Sequence, residues 1–423
     1  FDVLIFSKRN IIHATIPSFI KVIGPYSFNK CQMLKSIEIP ENSELQIIEK
    51  FAFSSSSIEN FTFPSTLIQI CEYAFYFCEQ LQTVEFLDDS KLKIIGENAF
   101  AHTPIKSISI PFHLEQICLR AFYHCENLHD IKIPQNSELI SIDKKAFAYT
   151  IIERISIPSH LKKIGEGAFF RCFILKTIEF PPNSELQIIE KRAFEESSIE
   201  NFLVPINVTQ INENTFGFCY DLETIETPAN SKLQTIDKNA FYSSQIKSIE
   251  IPSSLIELKK NWCAETNELI NINVDENNPK YSNYENKMII GKSSIECEQF
   301  DCLEFCVRNI KTIKIQNSIK YIQPSAFYQC DKLQRIDFDE NSELQKIKSC
   351  SFLYSSIESF KCPVHLRKIN KYAFANCKKL KIVEIPANSE LQKIGKCAFE
   401  DTQIECLSIP CHLTEIGEGA FRD

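Results

Sequence analysis

Cysteine is the residue type in this sequence with the greatest capacity for chemistry, and the chain contains 18 of them. Seven follow a period of 47 residues in two groups: Cys31, Cys78, Cys125, Cys172 and Cys219, then Cys330 and Cys377. In a stacked structure, equivalent residues two turns apart lie about 10 Å from each other, beyond the ~7 Å Cα limit of a disulfide. We therefore predict a ladder of buried thiols that act as small apolar side chains. Oxidising and reducing compartments would both tolerate this pattern.

Three further cysteines, Cys297, Cys302 and Cys306, lie close together in a segment that departs from this period. A zinc site would need a fourth ligand, and no histidine is near them in the sequence. We predict no metal site here. A disulfide and unpaired buried thiols both stay open for these residues.

Histidine also follows the 47-residue period: His160 lies 47 residues after His113, and His412 lies 47 residues after His365. A catalytic histidine is normally unique and has a dedicated nucleophile and orienting acid, so we interpret these copies as turn residues. The sequence contains no Walker or dinucleotide-binding fingerprint and no G-x-S-x-G or H-E-x-x-H motif. We accordingly predict no enzyme activity, no catalytic residues and no cofactor; chemistry in the 263–305 segment is the remaining enzymatic alternative.

The period itself comes from a recurring Ile-x-x-x-Ala-Phe phrase whose phenylalanine we call the anchor. Long and short intervals alternate between anchors: Phe53 follows Phe28 by 25, and Phe75 follows Phe53 by 22. The anchors are Phe28, Phe53, Phe75, Phe100, Phe122, Phe147, Phe169, Phe194, Phe216, Phe241, Phe327, Phe352, Phe374, Phe399 and Phe421. The same intervals add Phe6 and Phe305 and place an anchor at Cys263, after which 17 extra residues precede Phe305.

This frame predicts one solenoid in three parts: a repeat array over 1–262, an irregular or variant segment over 263–305, and the array continued over 306–423. The array begins at one anchor and stops two residues after another, with no polar capping unit at either end, so we expect a piece truncated at both ends.

Each repeat, which we call a coil, has the pattern of a short strand with one buried face. The segment 34–40 alternates apolar and polar residues and ends at Pro40, which cannot extend a ladder of hydrogen bonds. A second extended piece ends in isoleucine five residues before the anchor. We expect the Ala-Phe pair to lie in a short helical turn. The predicted fold is a β-rich solenoid of alternating 25- and 22-residue coils, with short helical turns on its convex side.

Charge and hydropathy exclude two classes of partner. The net charge is −9, the sequence pI is about 5.6, and lysine and arginine are spread along the chain. A concentrated basic patch of the kind that phosphate backbones require is absent, so we predict no nucleic-acid binding. No apolar run reaches the ~20 residues needed to cross a bilayer, so we predict no membrane span in this segment.

The repeated unit closely resembles BspA-like leucine-rich repeats, whose pattern is roughly L-x-x-I-x-I-P-x-x-L-x-x-I-x-x-x-A-F-x-x-C. It stands here as Cys125-x-x-Leu128-x-x-Ile131-x-Ile133-Pro134. The resemblance covers nearly the whole chain and implies a leucine-rich-repeat solenoid. It also implies a cell-surface or secreted protein that adheres to a protein or glycoprotein ligand, such as a host or matrix protein. The alternative is an intracellular, cytoplasmic scaffold that gathers protein partners on the same concave face.

Outward-pointing strand residues are the candidate binding site on that concave face. We single out Glu38, Glu85, Thr177, Glu179, Thr224, Glu226, Asp337 and Glu384. They belong to a mostly acidic stripe beside a stripe of Ser, Thr and Asn, which favours a basic or hydroxyl-rich partner. A merely solvated sheet surface is the alternative. Two N-glycosylation sequons begin at Asn60 and Asn207, and a glycan on Asn60 would obstruct the face.

Overall fold

The computed structural model describes residues 2–294 and 296–423, which form two compact units. Among these residues, the first unit comprises 2–222 and Asn230–Ser244, and the second comprises Glu223–Ala229, 245–294 and 296–423. Each unit is a solenoid of stacked coils joined by parallel strands, as the sequence predicted. The described residues contain strands and turns but no helix, and so nothing among them that is helical, long and apolar enough to cross a membrane.

One strand from each coil except the C-terminal one, where Cys406 forms only an isolated bridge, belongs to a row that we call the strand face. In the first unit these strands are His13–Thr15, Ser36–Glu38, Asn60–Phe63, Thr83–Phe86, Ser107–Ser109, Asp130–Lys132, Arg154–Ser156, Thr177–Glu179 and Asn201–Leu203. In the second unit they are Thr224–Glu226, Ser248–Ile251, Asn271–Val274, Thr312–Ile315, Arg335–Phe338, Ser359–Lys361 and Ile382–Glu384. The first eight pair two by two, for example Asn60 with Thr83. Each such pair joins a short coil to the long coil after it, which is the physical form of the 47-residue repeat.

In the regular coils, a second row of strands runs through the isoleucine five residues before each anchor, and in the second unit the strands of the irregular segment join this row. In the first unit it consists of Val3–Leu4, Val22–Ile23, Ile47–Ile48, Gln69–Ile70, Ile94–Ile95, Gln116–Ile117, Ser141–Ile142, Lys163–Ile164, Ile188–Ile189, Gln210–Ile211 and Thr235–Ile236. In the second unit it consists of Glu257–Leu258, Tyr281–Tyr284, Met288–Gly291, Cys302–Cys306, Tyr321–Ile322, Lys346–Ile347, Lys368–Ile369, Lys393–Ile394 and Glu415–Ile416. The first nine strands of the first unit make one continuous parallel sheet.

The anchor segments are not helical turns, so that expectation was wrong. Residues two before and two after an anchor have positive φ, as in Phe51 (55°) and Ser55 (57°) around Phe53. This alternation points every second N–H at the next coil: Phe51, Phe53 and Ser55 donate to carbonyls of the following coil over 2.8–3.2 Å. A helix would satisfy these donors internally and leave the next coil unpaired. Inter-coil bonding therefore offsets the left-handed backbone, which costs roughly 1–2 kcal/mol per residue.

The core of each unit is a column of stacked anchor rings. Ring centroids of successive anchors lie 4.9–5.7 Å apart from Phe28 to Phe241 in the first unit and 4.6–5.4 Å apart from Phe327 to Phe421 in the second. That spacing equals the separation of neighbouring strands, so the rings follow the backbone ladder. Phe6 is an exception because its ring is exposed and lies under the guanidinium of Arg9 at 4.9 Å.

The second unit contains the irregular segment that the frame located between Cys263 and Phe305. Tyr281–Tyr284 and Met288–Gly291 pair antiparallel as a hairpin, and Met288–Gly291 pairs antiparallel with Cys302–Cys306. Cys302–Cys306 then returns to parallel pairing with Tyr321–Ile322. The hairpin inserts two extra strands beside the regular row, and it explains the extra length of this segment.

Candidate binding face

Alternation along the face strands of the first unit sends every second side chain to solvent. Phe61 and Phe63 are buried, whereas Asn60 and Thr62 between them are exposed. The predicted candidates of this unit, Glu38, Glu85, Thr177 and Glu179, are all exposed in the same way. The structure therefore puts these four side chains on the strand face.

The carboxylates of this face are held by hydroxyl groups of the preceding coil. Thr15 Oγ1 donates to Glu38 Oε2 at 3.1 Å, Thr62 Oγ1 to Glu85 Oε2 at 3.5 Å, and Ser156 Oγ to Glu179 Oε2 at 2.6 Å. Each bond joins a short coil to the following long coil. The carboxylates are thereby oriented before any partner arrives, which lowers the side-chain ordering cost of binding.

These hydroxyl partners were not predicted from the sequence, because only the outward-pointing residues of the long coils were considered. Thr15, Thr62 and Ser156 occupy the matching outward position of the short coils, 23 residues before their glutamates. The same alternation that identified the long-coil residues could have identified them.

The strand face of the second unit has a different charge character. Glu226 and Glu384 are exposed, and Thr224 and Asp337 are half-buried. Asp337 is bound by Arg335, whose Nε lies 2.9 Å from Oδ1. Short coils contribute exposed Lys314 and Lys361 here, so acid and base alternate along this part of the face.

The ladder of buried thiols is confirmed, with an added polar role. All 18 cysteines are unpaired, and Cys78, Cys125 and Cys172 are fully buried. Their Sγ atoms lie 3.0–3.2 Å from anchor carbonyls of the preceding coil and donate to them. Serine or threonine alternates with cysteine at this position, as in Thr103 beside Cys125 at 3.4 Å. Burial raises the pKa of Cys125 to about 11, so the thiols are neutral and unreactive.

The irregular cysteines hold no special site either. Cys302 and Cys306 are buried free thiols, Cys297 is half-buried, and its Sγ donates to the Gln299 carbonyl. Within residues 2–294 and 296–423, no group of three or more His, Cys, Asp or Glu side chains is placed to hold a metal ion.

The repeated histidines are turn residues, as predicted. His113, His160 and His365 are each about half exposed. Each lies 2.9–3.3 Å from a glutamate of the following coil. These pairs brace consecutive coils and are exposed enough to contribute little stability.

A second group of rings runs along the turn surface, two residues after the anchors. Phe77 stacks on His102 at 4.4 Å, His102 on His124 at 5.0 Å, and His124 on Tyr149 at 4.0 Å. The ring faces cover one another, so this row offers edges rather than open faces to a ligand.

Comparison with known proteins identifies the repeat. A model of the "BspA type Leucine rich repeat region" matches the chain over residues 3–129, 93–223, 140–270 and 293–423. No curated protein sequence matches the chain.

One solved structure supports the same fold, and two others show similarity alone. A leucine-rich repeat protein from Bacteroides ovatus is 21% identical, with a TM-score of 0.53 over 92% of this chain and 84% of that one. A leucine-rich cell surface protein from Faecalibacterium prausnitzii is 19% identical, with a TM-score of 0.39 over 97% and 88%. The pneumococcal vaccine antigen PcpA is 20% identical, with a TM-score of 0.35 over 85% and 68%.

Proposed function

Because the chain belongs to the BspA-type leucine-rich-repeat family, we propose that it is a non-catalytic recognition protein of the cell surface or secreted space. Its strand face binds a protein or glycoprotein partner. The observation that carries this proposal is the row of oriented carboxylates on the first unit, where Glu38, Glu85 and Glu179 each accept a hydroxyl hydrogen bond from the coil before.

Oriented, solvent-exposed carboxylates at regular spacing suit a partner that presents lysine, arginine or hydroxyl groups. Such charges raise the rate of encounter and set specificity more than they add affinity. Binding is therefore expected to weaken as salt screens the face over a Debye length of about 8–10 Å. The partner's own charge pattern supplies the selectivity.

Charge reversal tests the face. The double variant Glu85→Lys, Glu179→Lys should slow association with a bound matrix protein or with intact epithelial cells and flatten its salt dependence. The matched control is Glu72→Lys, Glu79→Lys, which makes the same charge change at exposed glutamates on the turn side. Equal effects of the two double variants, or no effect of either, would remove the strand face from the function.

Localisation is tested separately, by antibody labelling of intact and permeabilised source cells. Labelling of intact cells supports the surface assignment. Signal only after permeabilisation would refute it and favour an intracellular scaffold using the same face.

A further inference from the structure

A cavity lies beside the interruption of the second unit. The inserted hairpin separates the strand Glu257–Leu258 from Cys302–Cys306. We call the turn side of this gap the wedge. A cavity of about 200 Å³ lies there, and its lining includes Trp262, Cys263 and Phe305. Cys263 stands where other coils carry an anchor phenylalanine, so the missing ring contributes to the space.

Backbone donors at this wedge lack the partners they have elsewhere. In a regular coil the residue two before the anchor and the anchor itself donate to the next coil, as Asn98 and Phe100 do at 3.0 and 2.8 Å. The equivalent residues here are Asn261, with φ of 60°, and Cys263. Among the described residues, the Cys263 N–H does not make the corresponding bond, which every anchor from Phe28 to Phe216 makes. The Asn261 N–H does not make it either, as is also the case for Asn214 and Asn239 in regular coils. Alternating right- and left-handed residues that turn N–H groups to one side form a concavity of the kind that binds anions.

A buried guanidinium lies at the same cavity. Arg308 is 4% exposed and stacks over the Phe305 ring at 4.5 Å. Its hydrogen bonds all use Nη1, which donates to the carbonyls of Cys306 and Ala326 at 3.1 and 3.0 Å and to Cys330 Sγ. Its Nε has no partner in the part of the chain that the structure describes, and no carboxylate there forms an ion pair with it.

Arg9 shows what the same arginine does in an open setting. It too lies three residues after a phenylalanine that the repeat intervals predict as an anchor, stacks on that ring, and donates through Nη1 to a carbonyl and a cysteine sulfur of the next coil. Arg9, however, is exposed to solvent and also uses Nη2, which donates to the Tyr26 carbonyl. The guanidinium of Arg9 is therefore solvated by water, whereas that of Arg308 is buried. A buried charge without a counter-charge costs free energy.

Unpartnered polar atoms concentrate at this wedge. Of eight buried side-chain N or O atoms without a hydrogen bond among the described residues, three belong to the lining: Asn261 Oδ1, Arg308 Nε and Ser325 Oγ. The guanidinium and the hydroxyl are the two that can donate to an anion. The one acid in the lining, Glu304, accepts a hydrogen bond from Gln323. Burial raises the pKa of this carboxyl. The lining also contains Lys260 and Lys259, and Lys259 Nζ lies 2.6 Å from Glu257 Oε1. Together with Arg308, the cations of the lining outnumber its one acid.

We propose that this wedge cavity is a binding site for a small oxyanion, a carboxylate or a phosphate. Arg308 supplies the charge, and the Asn261 and Cys263 N–H groups supply the oriented donors. The site is separate from the strand face and does not depend on the function proposed for it.

Trp262 provides the readout, because it is the sole tryptophan of the chain and its ring centroid lies 5.0 Å from that of Phe305. The probes are sodium acetate and sodium phosphate, titrated at constant ionic strength with sodium chloride. A saturable change in Trp262 fluorescence is expected with at least one of them. A preference for acetate identifies a planar ligand, and a preference for phosphate a tetrahedral one. A linear, non-saturating response to both overturns the proposal.

Three variants locate the response. Cys263→Phe restores the anchor ring and fills the cavity, so the saturable change should disappear. Arg308→Met should raise the dissociation constant at least about tenfold, as loss of a charged hydrogen-bonding group does. Arg9→Met, the matched control, should leave it unchanged. Circular dichroism shows whether each variant is folded. If Arg308→Met does not fold, the result with Cys263→Phe tests the site. A dissociation constant equal to the wild type in a folded Cys263→Phe or Arg308→Met variant refutes the site.

Discussion

Truncating one anchor ring should destabilise the array locally and severely. Phe147 is fully buried and stacks between Phe122 at 5.3 Å and Phe169 at 5.6 Å. A phenylalanine buries roughly 150–250 Å², which at about 25 cal/mol per Å² is about 4–6 kcal/mol. Alanine retains the Cβ, and a cavity remains. The expected loss for Phe147→Ala is therefore about 3–5 kcal/mol in the free energy of unfolding.

The assay combines urea denaturation with hydrogen exchange measured by mass spectrometry. Because each coil contacts only its neighbours, amide protection should fall in coils around residues 122–169 and persist around Phe374 in the second unit. The matched control is Phe77→Ala, since Phe77 is 37% exposed and stacks on His102. Its cost should stay below about 1.5 kcal/mol. If Phe77→Ala costs as much as Phe147→Ala, or protection falls evenly everywhere, the stacked column is not what stabilises the unit.

Three other outcomes follow from single contacts. A thiol reagent at neutral pH should label the exposed Cys406 and Cys411 rapidly in the native protein, and the buried cysteines only on unfolding. Stability should fall as the pH rises from about 9 towards 11, because the Cys125 thiol stays neutral in the fold while the unfolded thiol ionises first; thermal melts of wild type and Cys125→Ala check this. Gly165→Ala should destabilise by about 1–3 kcal/mol, since its Cβ would meet the Asp143 carbonyl carbon at 2.7 Å. Gly217→Ala, whose nearest contact is 3.4 Å, should change the melting midpoint little.

Sequence periodicity predicted the core because the regular spacing of the anchors fixes which side chains stack on one another. The alternating long and short intervals put Phe28, Phe53 and Phe75 at equivalent points of successive coils, and stacked coils then bring the rings together. The confirmed column runs at 4.9 Å between these rings. The same spacing also identified Cys263 as the occupant of an anchor position.

The helical turn was wrong because the choice of backbone depends on the neighbouring coil. Alanine and phenylalanine both occur in helices, so the identities of Ala52 and Phe53 do not exclude a helical turn. The observed alternating backbone is stabilised by the hydrogen bond that the Phe53 N–H donates to the Ala74 carbonyl of the next coil at 2.8 Å. Helix propensity depends on residues that are close in the sequence, so it contains no information about an acceptor in the next coil.

The same dependence explains why the sequence could indicate the strand face yet not the wedge cavity. Exposed positions on a strand follow from period-two alternation, so Glu85 and Glu179 could be selected by pattern alone. The donors at the wedge are main-chain N–H groups of Asn261 and Cys263, and every coil has such groups. The N–H of Cys263, at an anchor position, becomes available where the inserted hairpin replaces the next regular coil. A site of this kind depends on the interruption of the array, so no residue motif encodes it, and its position is found by asking where the inter-coil ladder stops.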